Sequence, residues 1–352
     1  MQCSPLGGGA GFLSHLCQLR LTWKPEKSGI PSRVVLKVPS TDELAAKGFL
    51  EGQEEAAEIY ATIFIPYCHR IECAIYELFR VVDYKMPIAR VPVYFCRDTS
   101  PQSPGAIIME DLTDRAALVD ARKGCTLAQA EAVIRLIARL HAWSIANSGW
   151  KERILRMPDR GFRTLGFVLP RVQAQLRQLD PIIFGDRLDE LSFVGHPGYQ
   201  PPLLFQSNTE LGLPDVLVHG DLWTNNILFR PNEQGEASND VLAILDWQMA
   251  HVGCLGCDLA LFLSAGLSSQ LRRQHGQQLL ILYHRTLSHR LGKELFSVAD
   301  VKAAYKRFLP MAYAFKLIQV SLLVDSAAKP DSDVATFLQS FSDFVDDVIA
   351  EL

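Results

Sequence analysis

The chain has 352 residues, 48% of them hydrophobic and 21% charged, with a formal net charge of −4. That length exceeds the roughly 250–300 residues at which a single core stops growing, so two lobes are expected. There is no basic excess of the kind a nucleic-acid partner requires, and no uncharged apolar run approaches the ~20 residues of a membrane span.

The eight cysteines, Cys3, Cys17, Cys68, Cys73, Cys96, Cys125, Cys254 and Cys257, are scattered but for one close pair. The N-terminus lacks a basic segment followed by an apolar run, the mark of a secretory leader. Free thiols in a cytoplasmic protein are therefore expected, with neither nucleic acid nor membrane as a partner.

In chain order, Leu16 to Trp23 alternates apolar and polar residues, KPEKSGIPS supplies a turn, and Arg33 to Val38 alternates again, a β-hairpin pattern. Helical spacing follows from Thr41 to Ala61, breaks near Pro66 and resumes from Cys68 to Arg80. VPVYFCRD and GAIIMED read as two strands joined by TSPQSPG. Thr126, with Gln129 three residues on, is a capping-box signature. Ala130, Val133, Ile134, Ile137, Leu140, His141 and Ser144 then recur at helical spacing, and Gly149 stands near the end of the run. More helices follow Pro181 and extend from Ser268 to the end. Strands return from Val216 to Trp247. A β-rich first third and a helical remainder divide the chain into lobes 1–111 and 112–352.

The stretch VLVHGDLWTNNILF, Val216 to Phe229, sets a histidine, an aspartate and two asparagines between apolar runs. The turn-rich PNEQGEASND and then VLAILDW follow it, so the two apolar runs form a hairpin. That hairpin brings Asp246 back beside Asn226, with Asp221 five residues before Asn226. Two carboxylates and an amide then converge at one end of a small sheet. Mg²⁺ takes hard oxygen ligands of this kind, commonly one or two carboxylates plus phosphates. Asn226 and Asp246 fit as its ligands, which leaves Asp221 to orient and deprotonate an attacking hydroxyl. The competing reading is a loop whose Asp221 and Asn226 only cap turns. His219 reads as a backbone brace, Asn225 as a turn residue and His141 as a core histidine.

A phosphate donor needs further parts, and candidates occur in order. Gly8, Gly9 and Gly11 lie in a glycine cluster, where bare backbone can approach phosphate or simply form a flexible tail. Lys37 sits within an apolar strand and calls for an anion, unless it is an edge lysine reaching for water. Its anchor is Glu72, with Glu54, Glu55 and Glu58 as rivals. Met109, Glu110 and Asp111 stand at the lobe junction, where backbone groups can meet a nucleotide base. Cys254 and Cys257 have metal-ligand spacing, but no second Cys/His pair accompanies them, so neither a metal nor a redox role is expected.

HGDLWTNNILF, ILDWQ, IMEDL, IARLHAWS and CDLALFL together resemble the CHK kinase-like (ecdysteroid kinase-like) family, relatives of the aminoglycoside phosphotransferases and choline kinases. The resemblance covers nearly the whole chain. It implies an α+β, bilobal protein-kinase-like fold with a small β-rich nucleotide-binding lobe and a larger helical lobe. It also implies an ATP- and Mg²⁺-dependent phosphate transfer to a small-molecule hydroxyl. By motif position, Asp221 would be the catalytic base, Asn226 and Asp246 the metal ligands, Lys37 and Glu72 the phosphate-binding pair, and Asp258 a structural brace. Two departures stand out. Trp247 replaces a phenylalanine common after the metal aspartate. Only MQCSPL precedes the glycine cluster where relatives carry a longer segment, so an incomplete first strand is expected.

The acceptor site is expected in the helical lobe, between about Leu112 and Pro202 and the C-terminal helices. The aromatic residues there (Trp143, Trp150, Phe162, Phe167) suit a steroid-like alcohol and equally suit ordinary core. The alternatives are a choline-, ethanolamine- or aminoglycoside-type kinase, and a catalytically silent kinase-like binding protein.

Overall fold

The computed structural model describes residues 2–6, 13–23, 30–42, 48–81, 86–100, 102–324 and 332–352. Gly8, Gly9 and Gly11 therefore lie outside the described residues. The two alternating segments form β2 (Ser14–Arg20) and β3 (Arg33–Pro39), paired antiparallel with Leu16 opposite Lys37. A short strand, β1 (Gln2–Pro5), lies on the outer edge of β2. On its other side β3 pairs with β5 (Ala106–Glu110), and β5 with β4 (Val93–Arg97), giving the order β1-β2-β3-β5-β4.

Against β3 and β4 packs a helix in two parts, α1 (Glu54–Ile59) and α2 (Ile65–Val81), joined by a π-helical turn at Tyr60–Phe64. Two expectations are corrected here. The helix does not run unbroken from Thr41, because Gly48 and Gly52 sit at φ +70 and +65, a left-handed conformation no helix contains. Nor does it break at Pro66. The π turn absorbs a register shift just ahead of it, and Pro66 takes the second position of α2, where a missing N–H costs least.

The large lobe is organised around α3 (Leu127–Ala146), whose capping box forms as expected between Thr126 and Gln129. This helix ends at Ala146 with Asn147 extended, and Gly149 is not left-handed, so it is no helix cap. Next come α4 (Thr164–Leu179), α5 (Pro181–Phe184), a 3-10 stretch at Asp186–Gly195 and α6 (Gln200–Glu210). Then β6 (Val216–Val218) enters, and β7 (Ile227–Pro231) with β8 (Ala237–Ile244) forms the expected antiparallel hairpin. The strand region extends beyond Trp247, because β6 pairs with β9 (His251–Gly253).

Behind these small sheets lie α7 (Gly256–Ala265), α8 (Ser269–Leu291), α9 (Val298–Arg307), α10 (Leu309–Leu323) and α11 (Ser332–Ile349). α7 is apolar on every face but for Asp258 and Ser264, and it is buried from Gly256 to Ser264, as a helix without a polar face must be. Its first residue lies on α9 so closely that a Cβ at Gly256 would stand 2.2 Å from the Ala304 carbonyl oxygen. Gly256→Ala is expected to cost about 2 kcal/mol or more by forcing α7 and α9 apart, read as a lowered chemical-denaturation midpoint.

Backbone hydrogen bonds tie the lobes together. Ile244 N–H donates to the Ala89 carbonyl (3.0 Å), and Phe79 of α2 meets the Trp247 ring edge-on at 5.1 Å. The outcome is the expected bilobal α+β architecture, a β-rich small lobe and a larger helical one in a protein-kinase-like arrangement. Among the described residues no helix is long and apolar enough to cross a membrane, and all eight cysteines are free thiols.

Candidate active site

Strand alternation places Lys37 on the same side of β3 as Val35, inside the molecule at 5% exposure. A buried ammonium needs anions. Lys37 Nζ finds two: Glu72 Oε2 of α2 at 2.6 Å and Asp246 Oδ1, just beyond β8, at 2.7 Å. Tyr76, one helical turn after Glu72, donates to Glu72 Oε1 at 3.1 Å. Burial works against the Lys37 charge, but Asp246 and Glu72 outweigh it, so the ammonium is held above its ordinary range. The rival glutamates face elsewhere: Glu55 pairs with Arg163 and Glu58 with Arg160, all exposed.

The β7–β8 hairpin sets Ile227 opposite Ile244, and the next rung, Leu245 N–H to the Asn226 carbonyl at 2.9 Å, brings Asn226 alongside Asp246. Asn226 Nδ2 donates back to Asp221, 2.8 Å to its carbonyl and 3.2 Å to Oδ2. With its amide nitrogen committed there, Asn226 has its oxygen available as a ligand. Asn225 is exposed. Burial first, and the Asp246 charge second, push the Asp221 carboxyl up to about 7, against the hydrogen bond from Asn226.

Asp246 itself is left-handed at φ 62, ψ 62, and no other non-glycine among the described residues has a positive φ. Strain of this kind persists only where the surroundings enforce it. Here Lys37 holds one carboxylate oxygen, and Gln248 Nε2 donates to the other at 3.3 Å. The sequence signal for Gln248 was the motif ILDWQ itself, though nothing in it assigned that residue a contact.

Beneath this loop lies a buried polar network. Asp258, in the first turn of α7, accepts the backbone N–H groups of His219 (2.8 Å) and Gly220 (2.9 Å), while His141 Nε2 lies 3.2 Å from it. Burial pushes the Asp258 carboxyl up, yet the His141 hydrogen bond and the nearby histidines outweigh it and hold it below the usual carboxylate range. His219 Nδ1 accepts the Asp221 N–H at 3.2 Å, and its Nε2–H donates to the Leu245 carbonyl at 2.9 Å. His219 thus links the Asp221 loop to the strand end that carries Asp246. Gly220, at φ +79, lies where a Cβ would stand 2.3 Å from the Met249 carbonyl oxygen, so only glycine fits.

At the lobe junction, Asp111 accepts from Gln18 Nε2 at 2.8 Å and from Thr113 N–H at 2.9 Å, and Arg33 lies 3.6 Å away. Its side chain is structural. The Glu110 N–H is spent on the Pro92 carbonyl at 2.9 Å. Met109 faces Val35 across the sheet. Two cavities flank the site. One is lined by Lys37, Glu72 and Gln248. The other, an open cleft, lies against Gly220 and Met249 in the large lobe. Of the aromatic residues expected near an acceptor, Phe162 lines this second cavity, while Trp150 is in the core with its N–H on the Ser144 carbonyl at 2.9 Å.

The donor set around Asp246 suits a magnesium ion: one carboxylate and one amide oxygen, both hard ligands. Among the described residues no group of three or more His, Cys, Asp or Glu forms a metal cage, so a cation here would take its remaining oxygens from water or from a bound ligand. Cys254 and Cys257 are both buried, and burial pushes the Cys254 thiol up to about 11.

The family model described as "DUF1679: Uncharacterized oxidoreductase dhs-27" matches residues 1–349. The chain is 25% identical over 359 residues to the Caenorhabditis elegans protein named Uncharacterized oxidoreductase dhs-27, covering 95% of this chain and 41% of that protein. It therefore spans about two fifths of that relative's length. It is 23% identical over 324 residues to the Caenorhabditis elegans Uncharacterized kinase-like protein D1044.1, covering 90% of this chain and 82% of that one. Among solved structures it is similar to a Plasmodium vivax ethanolamine kinase at TM-score 0.46 and 11% identity, covering 99% of this chain and 81% of the other.

Proposed function

The chain belongs to the DUF1679 family, and for this member of it we propose an ATP- and Mg²⁺-dependent phosphotransferase that moves the γ-phosphate to a hydroxyl of a small molecule. What carries this reading is the position of Lys37, a buried cation from the small lobe held by Glu72 at 2.6 Å and by Asp246 of the large lobe at 2.7 Å. A phosphate chain entering between the lobes meets one buried cation there and two oxygen ligands for a metal.

Lys37 contacts the phosphates, steadied by Glu72. Asn226 and Asp246 hold the metal. Bound Mg²⁺ supplies neutralisation of the phosphate oxygens during transfer. Asp221 orients the acceptor hydroxyl and takes its proton. Asp258 and His219 keep the Asp221 loop in place from behind. The base of the nucleotide meets backbone groups in the Met109–Asp111 segment, and the lobes act as units 1–111 and 112–352.

The residues lining the large-lobe cavity include no aspartate or glutamate. Arg156 already covers the Phe205 ring at its edge, 4.6 Å from the centroid. A cationic acceptor such as choline or an aminoglycoside wants the opposite lining, so an uncharged and largely apolar alcohol, steroid-like in character, suits this site better. An oxidoreductase reading has no matching geometry. Dinucleotide sites of the doubly wound kind use parallel strands and crossover helices, whereas every strand-to-strand pairing among the described residues is antiparallel and the one parallel contact there is an isolated bridge, Arg90 to Ile244.

A phosphotransfer screen with labelled ATP, Mg²⁺ and a panel of hydroxyl-bearing metabolites tests the proposal. Transfer by the wild type and none by Asp221→Asn supports it. Failure of the wild type to bind nucleotide in the presence of Mg²⁺ removes it in favour of a silent kinase-like binding protein. Glu72→Gln, isosteric and uncharged, is expected to weaken Mg²⁺–ATP binding by about tenfold, the worth of one hydrogen bond between charged groups. Calorimetric titration with a non-hydrolysable nucleotide reads this, and an unchanged affinity would separate Glu72 from phosphate binding.

A further inference from the structure

The large-lobe cavity is walled by apolar groups, among them Phe64, Phe162, Phe205 and Met311. Most of its polar side chains are spent on the protein itself. Tyr67 Oη donates to the Leu155 carbonyl at 2.9 Å, Thr164 Oγ1 to the Gly161 carbonyl at 2.8 Å, and Gln200 Nε2 to the Phe162 carbonyl at 3.2 Å. His251 is different. It lines the cavity, is 6% exposed, and its Nε2 is buried with no hydrogen-bond partner.

Its other nitrogen decides what Nε2 can do. Nδ1 lies 3.0 Å from the Met249 carbonyl oxygen, which only accepts, so Nδ1 carries the proton and Nε2 is left as a bare lone pair. Burial holds the ring neutral, reinforcing that state. The ring lies on Gly253, where a Cβ would stand 2.9 Å from Nε2. Pairing in the β6–β9 ladder fixes His251 opposite Val218, so the ring has little freedom to turn towards another partner. A buried acceptor without a partner calls for an explanation, and of the buried side-chain atoms left without one among the described residues, Arg139 Nε, Asn208 Oδ1, Thr224 Oγ1, Arg272 Nη1, Ser288 Oγ and His251 Nε2, His251 is the residue that lines this cavity.

We infer that His251 is a specificity-determining residue of the acceptor site, its Nε2 accepting a hydrogen bond from a donor on an uncharged, otherwise apolar molecule. That donor is distinct from the hydroxyl that reacts. Gly220 lines the same cavity and immediately precedes Asp221, so a molecule anchored on His251 extends towards the catalytic loop. The ligand class is a compact apolar skeleton with two separated hydroxyls. That one of them receives phosphate rests on the phosphotransfer reading above, whereas the binding preference does not.

The test uses the full chain and two probes, a decalin diol and the matched decalin mono-alcohol, titrated calorimetrically in the presence of Mg²⁺–ADP. Wild type is expected to bind the diol about tenfold more tightly, the worth of one buried hydrogen bond. In His251→Phe the preference shrinks to within about twofold, and in His251→Gln, which returns an acceptor at similar reach, part of it is restored. If His251→Phe melts early, His251→Asn, whose amide stops short of the Nε2 position, takes its place. An undiminished preference in these variants, no diol binding by the wild type, or a crystal structure with only a water on Nε2 and the diol elsewhere overturns the inference. Phosphate transfer to the diol is followed in parallel samples in which Mg²⁺–ATP replaces Mg²⁺–ADP. Preference without transfer leaves His251 standing and removes the kinase reading, and transfer without preference does the reverse.

Discussion

Asp221→Asn is expected to lower kcat by about a thousandfold, within the range of general-base contributions, while nucleotide affinity stays within about twofold of wild type. The amide keeps the shape of the carboxylate and can still meet Asn226, whose contacts with Asp221 are 2.8 and 3.2 Å. What it loses is the capacity to take a proton. The same residue sets the pH response. Burial and the Asp246 charge push Asp221 up to about 7, and a base is lost by protonation, so kcat/KM should fall as pH drops through that value. A cation at Asp246 favours the ionised form, so the acid limb is expected to move lower as Mg²⁺ is raised. Rate–pH profiles at two Mg²⁺ concentrations check both points. An Asp221→Asn enzyme with wild-type turnover would end the assignment of the base.

Asp258→Ala is expected to destabilise the fold by about 3–5 kcal/mol, as removing one side of a buried ionic network does. The substitution strips the acceptor from two backbone N–H groups, on His219 and Gly220, and from His141. Thermal melting measures the loss, and turnover should fall with it because the Asp221 loop hangs on these bonds. The linkage has a definite sign. The folded carboxyl is held below its ordinary value, so its stabilisation is complete above the unfolded pKa, about 3.9. It disappears as pH falls through the lower folded value. Wild type should therefore lose this contribution only in acid, below about pH 4, whereas Asp258→Ala lacks it at every pH. Equal denaturation midpoints for the two proteins at pH 7 would show that Asp258 does not carry the loop.

The sheet and its lysine were legible because their signals are local. A two-residue period and turn-forming residues define the β2–β3 and β7–β8 hairpins, and the second hairpin by itself forces Asp246 next to Asn226. The choice among four glutamates was not legible in that way. Glu54, Glu55, Glu58 and Glu72 all lie on helical segments, and which one reaches Lys37 depends on how a helix carrying a π turn settles against the sheet. His141 illustrates the same limit. Its place on an apolar face marked it as core, correctly, but that it reaches Asp258 and Tyr283, 142 residues along the chain in the latter case, is a matter of packing alone.

By itself the sequence determined the two-lobe division, the hairpin that gathers Asn226 and Asp246, and the presence of a lysine within an apolar strand, with an anion partner and an edge position both open. These follow from steric periods and desolvation, which act over a few residues. Tertiary structure alone decided that Lys37 is shared between Glu72 and Asp246, that Asp246 is left-handed, and that β6 pairs with β9. That last pairing places His251, with an unpaired nitrogen, in the wall of a cavity. Each of these depends on surfaces that meet only after the chain has folded, where burial sets the strength of every charge and hydrogen bond.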